Sequence, residues 1–317
     1  MAEANVIRKM RMSIPLVLMA FLANGLLLAA CGSEVAGPAG ERSVLGGGGG
    51  GADSPGIPGD PADLAKDGVR ITGMSSGRSG ADAPSSVTAD FEVTNREAEP
   101  FTYTVTFDLL SESGGVQMNQ DRTVASVRPG RIVRSTVRLD GRTDTGGQGR
   151  VRIAKVRRVP SDEFPAESGP CPASGVRVTA DDGDAAMGLR VVGLRLRNCG
   201  TRTYHLDGYP LLKLLDEDRK PVSGVRILHG SGSIATVAGF DTPPRPVTLE
   251  PGEAASAGLM WRNTTGGGIV ANIPYVQVRP KSGAEAVTVT PELDLGTTGK
   301  LGVSPWKKAP STETPVR

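Results

Sequence analysis

The feature that most constrains the fold is a regular alternation of apolar and polar residues in the first half of the chain. Apolar side chains occupy every second position of residues 87–93 and 101–109 and, less completely, of residues 133–139. Such runs, spaced about ten residues apart and separated by turn residues, are typical of an antiparallel β-sandwich. We therefore predict an antiparallel β-sandwich over residues 67–159.

A second β-rich segment follows a connector at residues 160–170, which is rich in proline and glycine. The Leu-Leu-Lys-Leu-Leu run at residues 211–215 also fits an amphipathic helix, but Pro210 and the polar residues 216–220 on its two sides favour a strand. The clearest strands are predicted at residues 189–196, 211–215, 257–261, 275–278 and 287–290. We predict a second sandwich over residues 171–306.

Composition agrees with an all-β fold. The chain contains 43 glycines and 24 prolines among 317 residues, well above their usual combined share of roughly 12%. Both residues disfavour helix interiors, so a mostly helical protein is excluded. The formal charge is only +2, which does not favour a nucleic-acid partner. The fold class is thus predicted as all-β, with two antiparallel sandwiches. Residues 67–159 resemble small immunoglobulin-like domains of bacterial exported proteins, which implies that the two sandwiches are immunoglobulin-like.

The start of the chain has the order of an export signal. Arg8, Lys9 and Arg11 form a basic head, an apolar run occupies residues 14–30, and a Leu-Ala-Ala-Cys sequence closes it at Cys31. This pattern resembles the lipobox of bacterial lipoproteins, which implies cleavage before Cys31 and acylation of its thiol. An uncleaved anchor, or a chance cysteine after a signal peptide, is the alternative. The predicted location is the extracytoplasmic face of the cell membrane.

The segment after Cys31 is predicted to be a flexible linker. It is dominated by glycine and proline, with an unbroken glycine run at residues 46–51. Such a composition buries too little apolar surface to offset the entropy of ordering. A linker of this length spans about 30 Å root-mean-square.

The two β-rich segments share an internal pattern. In each, a strand ends in an asparagine, at Asn95 and Asn198, and a Pro-Gly pair follows, at residues 129–130 and 251–252. The interval between asparagine and proline is longer in the second segment, and we place the extra residues at 229–246. The pattern predicts two related sandwiches.

Long loops at the rim of a rigid sandwich commonly carry binding sites. Residues 229–246 are rich in glycine, serine and proline, and we predict a candidate binding loop there with His229, Phe240 and Asp241. A loop with no binding role is the alternative.

The second segment also resembles a known family. The residues that carry the resemblance are Leu194-x-Leu196-x-Asn198, Gly208-Tyr209-Pro210, Thr248-Leu249-x-Pro251-Gly252 and Leu259-x-Trp261. They are similar to an uncharacterised β-sandwich domain of secreted actinobacterial lipoproteins, filed as a domain of unknown function. The resemblance covers residues 171–306. It implies a β-sandwich and an exported protein, and it supplies no catalytic residue.

The cysteines divide into two roles. With Cys31 assigned to lipid, Cys171 and Cys199 remain as an even pair in an oxidising compartment, and we predict a disulfide between them. A reactive or metal-binding pair is the alternative, but the chain has no CxxC motif and no histidine at ligand spacing. We predict no metal and no cofactor.

Three patterns invite a catalytic or metal-binding interpretation. Residues 73–77 match the GxSxG pattern of a nucleophile elbow but lack the following helix, so we interpret them as a turn. The acidic run at residues 181–184 is interpreted as a solvated hairpin turn, with calcium binding as the alternative. His205 and His229 have no evident acidic partner. We therefore predict that the chain is not an enzyme and has no catalytic residues.

The function predicted from the sequence is that of a membrane-anchored exported lipoprotein, a non-catalytic binding or adaptor module of the cell envelope. Besides the membrane, its partner is expected to be an envelope protein or a cell-wall glycan, the latter if aromatic side chains are exposed for stacking. An envelope hydrolase and a purely structural spacer are the alternatives. The predicted organisation is a signal peptide at 1–30, lipidated cysteine and linker at 31–66, sandwiches at 67–159 and 171–306 joined by 160–170, and a tail at 307–317.

Overall fold

The computed structural model describes residues 60–78, 85–140 and 150–310. All of them belong to one compact unit, Ser54–Arg317. The predicted signal peptide, Cys31 and most of the predicted linker lie outside the described residues. No described helix is both long and apolar enough to cross a bilayer.

The first sandwich begins with a short helix whose N-cap, Asp60, accepts a hydrogen bond from the Ala62 amide at 2.9 Å. Two antiparallel sheets follow, in the strand orders β1-β2-β3-β6 and β5-β4-β7. The elements are α1 (Pro61–Leu64), β1 (Ala65–Lys66), β2 (Val69–Arg78), β3 (Ser85–Thr94), β4 (Phe101–Leu110), β5 (Val116–Val127), β6 (Ile132–Asp140) and β7 (Arg150–Pro160).

The core of this sandwich is made by the alternating residues of the sequence. Val87, Ala89, Phe91 and Val93 are buried on β3, as are the odd-numbered residues of β4. The rings of Phe91 and Phe107 meet across the two sheets with centroids 4.8 Å apart. The period of two places every second side chain on the inner face, so the predicted strands are confirmed.

The second sandwich has a larger sheet, in the order β13-β20-β15-β10-β8, and a smaller one, β12-β17-β18. All pairs are antiparallel except β13 with β20, which are parallel. Short pairs β11-β14 and β16-β19 complete the fold, while β9 pairs with β10 and β21 with β15. The elements are β8 (Val176–Ala180), β9 (Asp184–Ala186), β10 (Leu189–Asn198), β11 (Tyr204–Leu206), β12 (Leu211–Leu215), β13 (Arg226–His229), β14 (Val247–Leu249), β15 (Ala254–Arg262), β16 (Asn272–Ile273), β17 (Tyr275–Arg279), β18 (Val287–Val289), β19 (Leu293–Asp294), β20 (Lys300–Val303) and β21 (Lys307–Lys308).

Two tryptophans fill the core of the second sandwich, and each satisfies its indole N–H. Trp261 donates to Asp294 at 2.8 Å, and Trp306 donates to the Pro280 carbonyl at 2.9 Å. Both side chains are almost fully buried. Pairing the polar atom lets these large side chains be buried without the cost of an unsatisfied donor.

Each sandwich has the same buried asparagine at the end of its central strand. The Asn95 amide donates to the carbonyls of Glu99 and Val127 at 2.8 and 2.7 Å. The Asn198 amide donates to those of Arg202 and Leu249, both at 2.9 Å.

The backbone around these asparagines is equivalent too. Asn95 receives the Gly130 amide on its carbonyl and donates to Arg131, and Asn198 does the same with Gly252 and Glu253. Because the partners correspond position by position, β3 and β6 are the counterparts of β10 and β15. We call this arrangement the asparagine corner.

Two local interpretations from the sequence are wrong. Residues 73–77 lie inside β2, where they pair with β3 after a bulge between Ile71 and Gly73, so they form no turn. Residues 181–183 interrupt an edge strand, because β8 and β9 both pair with β10. The hairpin turn is at Met187 and Gly188, whose φ angles of 49° and 75° are left-handed.

The junction between the sandwiches centres on Arg157 of β7. Its guanidinium donates to both carboxylate oxygens of Glu292, at 2.6 and 2.7 Å, and to Glu217 at 3.0 Å. Glu292 holds a φ of 53°, which is uncommon for a residue with a side chain. Beside this pair, Val159 packs with Tyr275 in a small apolar cluster. The first sandwich is therefore joined to the second by both charge and packing.

Candidate functional site

A cavity of about 300 Å³ opens at the side of the second sandwich. It lies where the free edges of the two sheets, β8 and β18, approach each other. The walls come from the connector, the start of the second sandwich, β8, β11 and the β17–β18 turn. Its volume is at the lower end of the range of small-ligand pockets. We call it the lateral cavity.

The floor of the lateral cavity is apolar and its rim is charged. Val176, Val178 and Ala286 are buried there, and Phe164 is half-buried above them. The rim carries two cations and two carboxylates, those of Arg177, Lys281, Asp162 and Glu285. An apolar floor with a few polar groups around it is the usual composition of a binding pocket.

Lys281 and Tyr204 form one side of the rim. The Lys281 ammonium lies 4.2 Å from the centre of the Tyr204 ring and donates to the His205 carbonyl at 2.9 Å. Burial raises the pKa of Tyr204. The ring therefore stays a neutral phenol at neutral pH and presents its face to the cation.

The connector is fixed against the second sandwich by Glu163. Its carboxylate accepts hydrogen bonds from Gln277 at 2.8 Å and Thr288 at 2.5 Å, and its carbonyl accepts the Thr288 amide at 2.8 Å. This backbone bond covers part of the free edge of β18. One wall of the lateral cavity is thereby held in place.

The predicted disulfide between Cys171 and Cys199 is confirmed, with the two Cα atoms 5.6 Å apart. It joins the start of the second sandwich to the residue after Asn198. The Cys199 amide also donates to the Gly175 carbonyl at 3.0 Å. The disulfide thus fixes the segment that runs from the connector into β8, which is another wall of the lateral cavity.

Part of the candidate loop packs on the outer face of the larger sheet. Phe240 is only 6% exposed and packs with Ile234 on Met260 of β15. A Cβ added at Gly258 would lie 2.8 Å from the Phe240 ring, so this glycine makes room for it. The loop is packed on the sheet at this point, and its binding role stays a prediction.

Asp241 has a structural contact in the same loop. It accepts hydrogen bonds from the Ser231 amide and hydroxyl, both at 2.6 Å, and these bonds lower the pKa of its carboxyl group. A residue with a Cβ at Gly230 would collide with this carboxylate, and Gly230 has a φ of 84°. The Ser231–Asp241 contact closes the turn after β13.

The two histidines lie on different strands and have different partners. His205 on β11 shares a hydrogen bond of 3.2 Å with Thr248 on β14. His229 on β13 stacks on Tyr209, with ring centroids 3.9 Å apart and planes 6° from parallel. Neither histidine lines the lateral cavity.

Most of the large aromatic side chains of the second sandwich are buried. Trp261, Trp306 and Tyr275 are each at most 2% exposed. Tyr204 and Tyr209 are half-buried, and one face of each ring is already in contact with Lys281 or His229, respectively. Stacking on a cell-wall sugar would have to use these two tyrosines.

Two further cavities contain charged groups of which several are already paired. The one at the junction, about 390 Å³, is lined by Arg157 and Arg158, which pair with Glu217 and Glu97 at 3.0 and 2.9 Å. The other, about 240 Å³, contains Asp294, which accepts from Trp261. Within the described ranges, no cluster of three or more His, Cys, Asp or Glu side chains is arranged to hold a metal ion.

Sequence reasoning missed the residues that shape the lateral cavity. Glu163 reaches partners more than 100 positions away in the chain, and Arg177 faces Arg197 only through the register of β8 and β10. Arg177 does not stand out in the sequence. Glu163 gives a weak signal, because a carboxylate in a proline-rich connector can bond to a neighbouring domain.

Comparison with known proteins gives one family match. A family described as Domain of unknown function (DUF4232) matches residues 171–307. No curated protein matches the chain. A solved structure of red sea bream transglutaminase is 12% identical, with a TM-score of 0.17, over 74% of this chain and 31% of that one. The chain thus spans about a third of the transglutaminase, and a likeness at this TM-score carries no argument. The second sandwich is therefore a DUF4232 domain.

Proposed function

We propose that this chain is an exported lipoprotein, anchored by an acylated Cys31 at the extracytoplasmic face of the cell membrane, and that it acts there as a non-catalytic binding or adaptor module. The observation that carries the binding role is the lateral cavity, which is formed by several separate segments of chain and has an apolar floor with a charged rim. Its partner is an envelope protein or a cell-wall glycan.

Export is supported by the cysteines. The bond between Cys171 and Cys199 is of the kind that forms and persists in oxidising compartments outside the cytoplasm. The order of basic head, apolar run and Leu-Ala-Ala-Cys31 supports acylation as the means of attachment. Two or three acyl chains hold a protein stably on a membrane, where one chain is marginal.

A binding role is supported over a catalytic one by the placement of the polar groups. Serine hydrolysis needs a serine within hydrogen-bond reach of a histidine that a third group orients. Here Ser231 donates directly to Asp241, while His205 bonds to Thr248 and His229 stacks on Tyr209. These groups have structural partners instead of one another.

An adaptor role is supported by the junction. Arg157 bridges from the first sandwich to Glu292 and Glu217 of the second, and Glu163 fixes the connector to β17 and β18. A module with a fixed junction presents the lateral cavity at a constant distance and orientation from the first sandwich.

The test is site-specific photo-crosslinking in intact cells. A photoreactive residue replaces Ser282, which is exposed at the rim of the lateral cavity, or, as the matched control, the exposed Gln120 on β5. We expect a discrete adduct, identified by mass spectrometry, from position 282 and none from position 120. Identical adducts at both positions, or none at 282, would contradict a binding role for the cavity.

A further inference from the structure

Three arginines lie side by side on the outer face of the larger sheet of the second sandwich. Arg177 of β8 pairs directly with Arg197 of β10, and Arg195 lies two residues before Arg197 on the same strand. The alternate residues of these strands, such as Val178 and Leu196, are buried in the core. Arg195 and Arg197 are exposed and Arg177 is half-exposed. We call these three residues the arginine face.

The arrangement is unfavourable without a counter-ion. Directly opposed side chains on neighbouring strands have Cβ atoms about 5 Å apart, and like charges at that distance destabilise the pair. Along one strand, residues two apart are separated by about 7 Å. The strand register thus places three arginines on adjacent positions of one sheet face.

None of the three arginines has a salt-bridge partner among the described residues, whereas Arg190 on the same strand pairs with Asp294 at 3.5 Å. The carboxylates that follow β8 and precede β15 have other partners. Asp181 accepts the amides of Gly183 and Gly193, and Glu253 pairs with Lys308 at 2.7 Å.

The exposed donors point to an anion with several oxygens. One nitrogen of the Arg177 guanidinium already donates to the Gly169 carbonyl, so Arg195 and Arg197 supply most of the accessible donors. Arg195 is flanked across the sheet by the hydroxyl groups of Thr179 and Ser256. Guanidinium groups bind phosphate oxygens with two parallel hydrogen bonds, and neighbouring hydroxyls add further donors.

We propose that the arginine face binds the phosphate groups of anionic phospholipid headgroups. The choice of lipid over a free phosphate rests on the proposed anchor, because a linker spanning about 30 Å keeps the module close to the bilayer at high effective lipid concentration. Anionic headgroups attract clustered arginines at close range. Contact through this face turns the tethered module onto the membrane and leaves the lateral cavity at the edge of the contact.

The test uses the full chain carrying Cys31→Ser, so that no acyl chain contributes to binding. Its partition onto vesicles of phosphatidylglycerol and phosphatidylcholine is measured by flotation, with pure phosphatidylcholine as the neutral surface. We expect binding to the anionic vesicles only. The double variant Arg195→Gln/Arg197→Gln should bind about thirtyfold more weakly, from the known gain per basic residue near an anionic surface.

The matched control is Arg134→Gln/Arg138→Gln, which removes the same charge from the outer face of the first sandwich. It should change the partition by less than about twofold, and the melting curves of both double variants show whether they are folded. Equal losses in the two double variants would reduce the effect to net charge and overturn the proposal.

Inorganic phosphate is the second probe. If phosphate shifts the NMR signals of Arg195 and Arg197 while anionic vesicles bind no protein, the site takes a soluble phosphate and the membrane assignment is overturned. Acylation of Cys31 in the unmodified chain is measured separately by fatty-acid labelling. Vesicle binding without acylation would therefore overturn the anchor and leave the arginine face standing.

Discussion

The two sandwiches contain the same asparagine corner and differ in the charges on their outer faces. In the first, Glu92 lies between Arg70 and Arg134 on neighbouring strands and pairs with Arg70 at 2.5 Å. The corresponding residue of the second is Arg195, which lies between Thr179 and Ser256. The interior of the scaffold is repeated, while the charge at this position of the outer face is reversed and has no salt-bridge partner among the residues that the structure describes.

The second difference is in the strand that follows the asparagine corner. In the first sandwich, β4 is continuous and pairs with both β5 and β7. In the second, the Gly208-Tyr209-Pro210 segment divides its counterpart into β11 and β12. The chain after β12 then crosses to the larger sheet as β13. The additional chain that packs Phe240 on Met260 of β15 lies between β13 and β14.

The disulfide gives the largest expected difference between the sandwiches. Replacing both Cys171 and Cys199 by serine should destabilise the second sandwich by about 3–4 kcal/mol, because a loop of this length is no longer closed in the unfolded state. The first sandwich has no such bond. Hydrogen exchange of the backbone amides, measured at increasing urea concentration, gives the free energy of unfolding of each sandwich separately. Equal destabilisation of both sandwiches would show that they unfold as one unit.

The asparagine corner should be equally important in both sandwiches. Asn95→Ala and Asn198→Ala each leave a buried carbonyl, of Val127 or Leu249, without its donor, and each should cost about 2–3 kcal/mol. Asn119→Ala, at an exposed position of β5, is the control and should have little effect. A large cost in only one sandwich, measured by denaturant unfolding, would break the equivalence.

The junction should contribute less to stability than to the coupling of the two sandwiches. Arg157→Gln removes the ion pairs with Glu292 and Glu217. It should lower the free energy of unfolding by about 1 kcal/mol, because both of these carboxylates are partly exposed. Residual dipolar couplings should then show independent orientation of the sandwiches. Arg152→Gln, which affects an ion pair within the first sandwich, should leave the orientation unchanged.

The smallest effect is expected from buried tyrosines at high pH. Burial raises the pKa of Tyr103 in the first sandwich and of Tyr275 in the second. Because the folded pKa is above that of the unfolded chain, the stabilisation is complete below pH 10 and is lost as the pH rises through the folded pKa. Replacing Tyr103 or Tyr275 by phenylalanine should reduce the loss of stability at high pH. Ultraviolet titration of the unmodified chain and of each of these two variants shows which phenol ionises at the higher pH.

Local patterns predicted the strands well because burial on one face of a sheet imposes a period of two. The asparagine corner was predictable for the same reason, since Asn95 and Asn198 each close such a strand and a Pro-Gly pair follows each of them further along the chain. The residues of the lateral cavity and of the arginine face could not be predicted from the sequence. Arg177 and Arg197 become neighbours only through strand register, and Arg157 meets Glu292 only through the packing of the two sandwiches. Long-range pairing of this kind leaves no periodic signal in one sequence.

The Pro-Gly pairs show the same limit. Gly130 and Gly252 both adopt a positive φ and close equivalent turns, as their spacing indicates. The longer interval in the second sandwich indicated extra chain but not its path. The parallel pairing of β13 with β20, which carries that chain across to the larger sheet, depends on the tertiary fold.

Acylation of Cys31 is the most direct test of the proposed function. Cells expressing the unmodified chain are labelled with an alkyne fatty acid, and the protein is examined for label and for membrane association. We expect label and membrane retention in the unmodified chain and in the Cys171→Ser/Cys199→Ser variant, and loss of both with Cys31→Ser. Label that persists after Cys31→Ser, or an unmodified chain that carries none, would contradict the proposal that this module works from a lipid anchor.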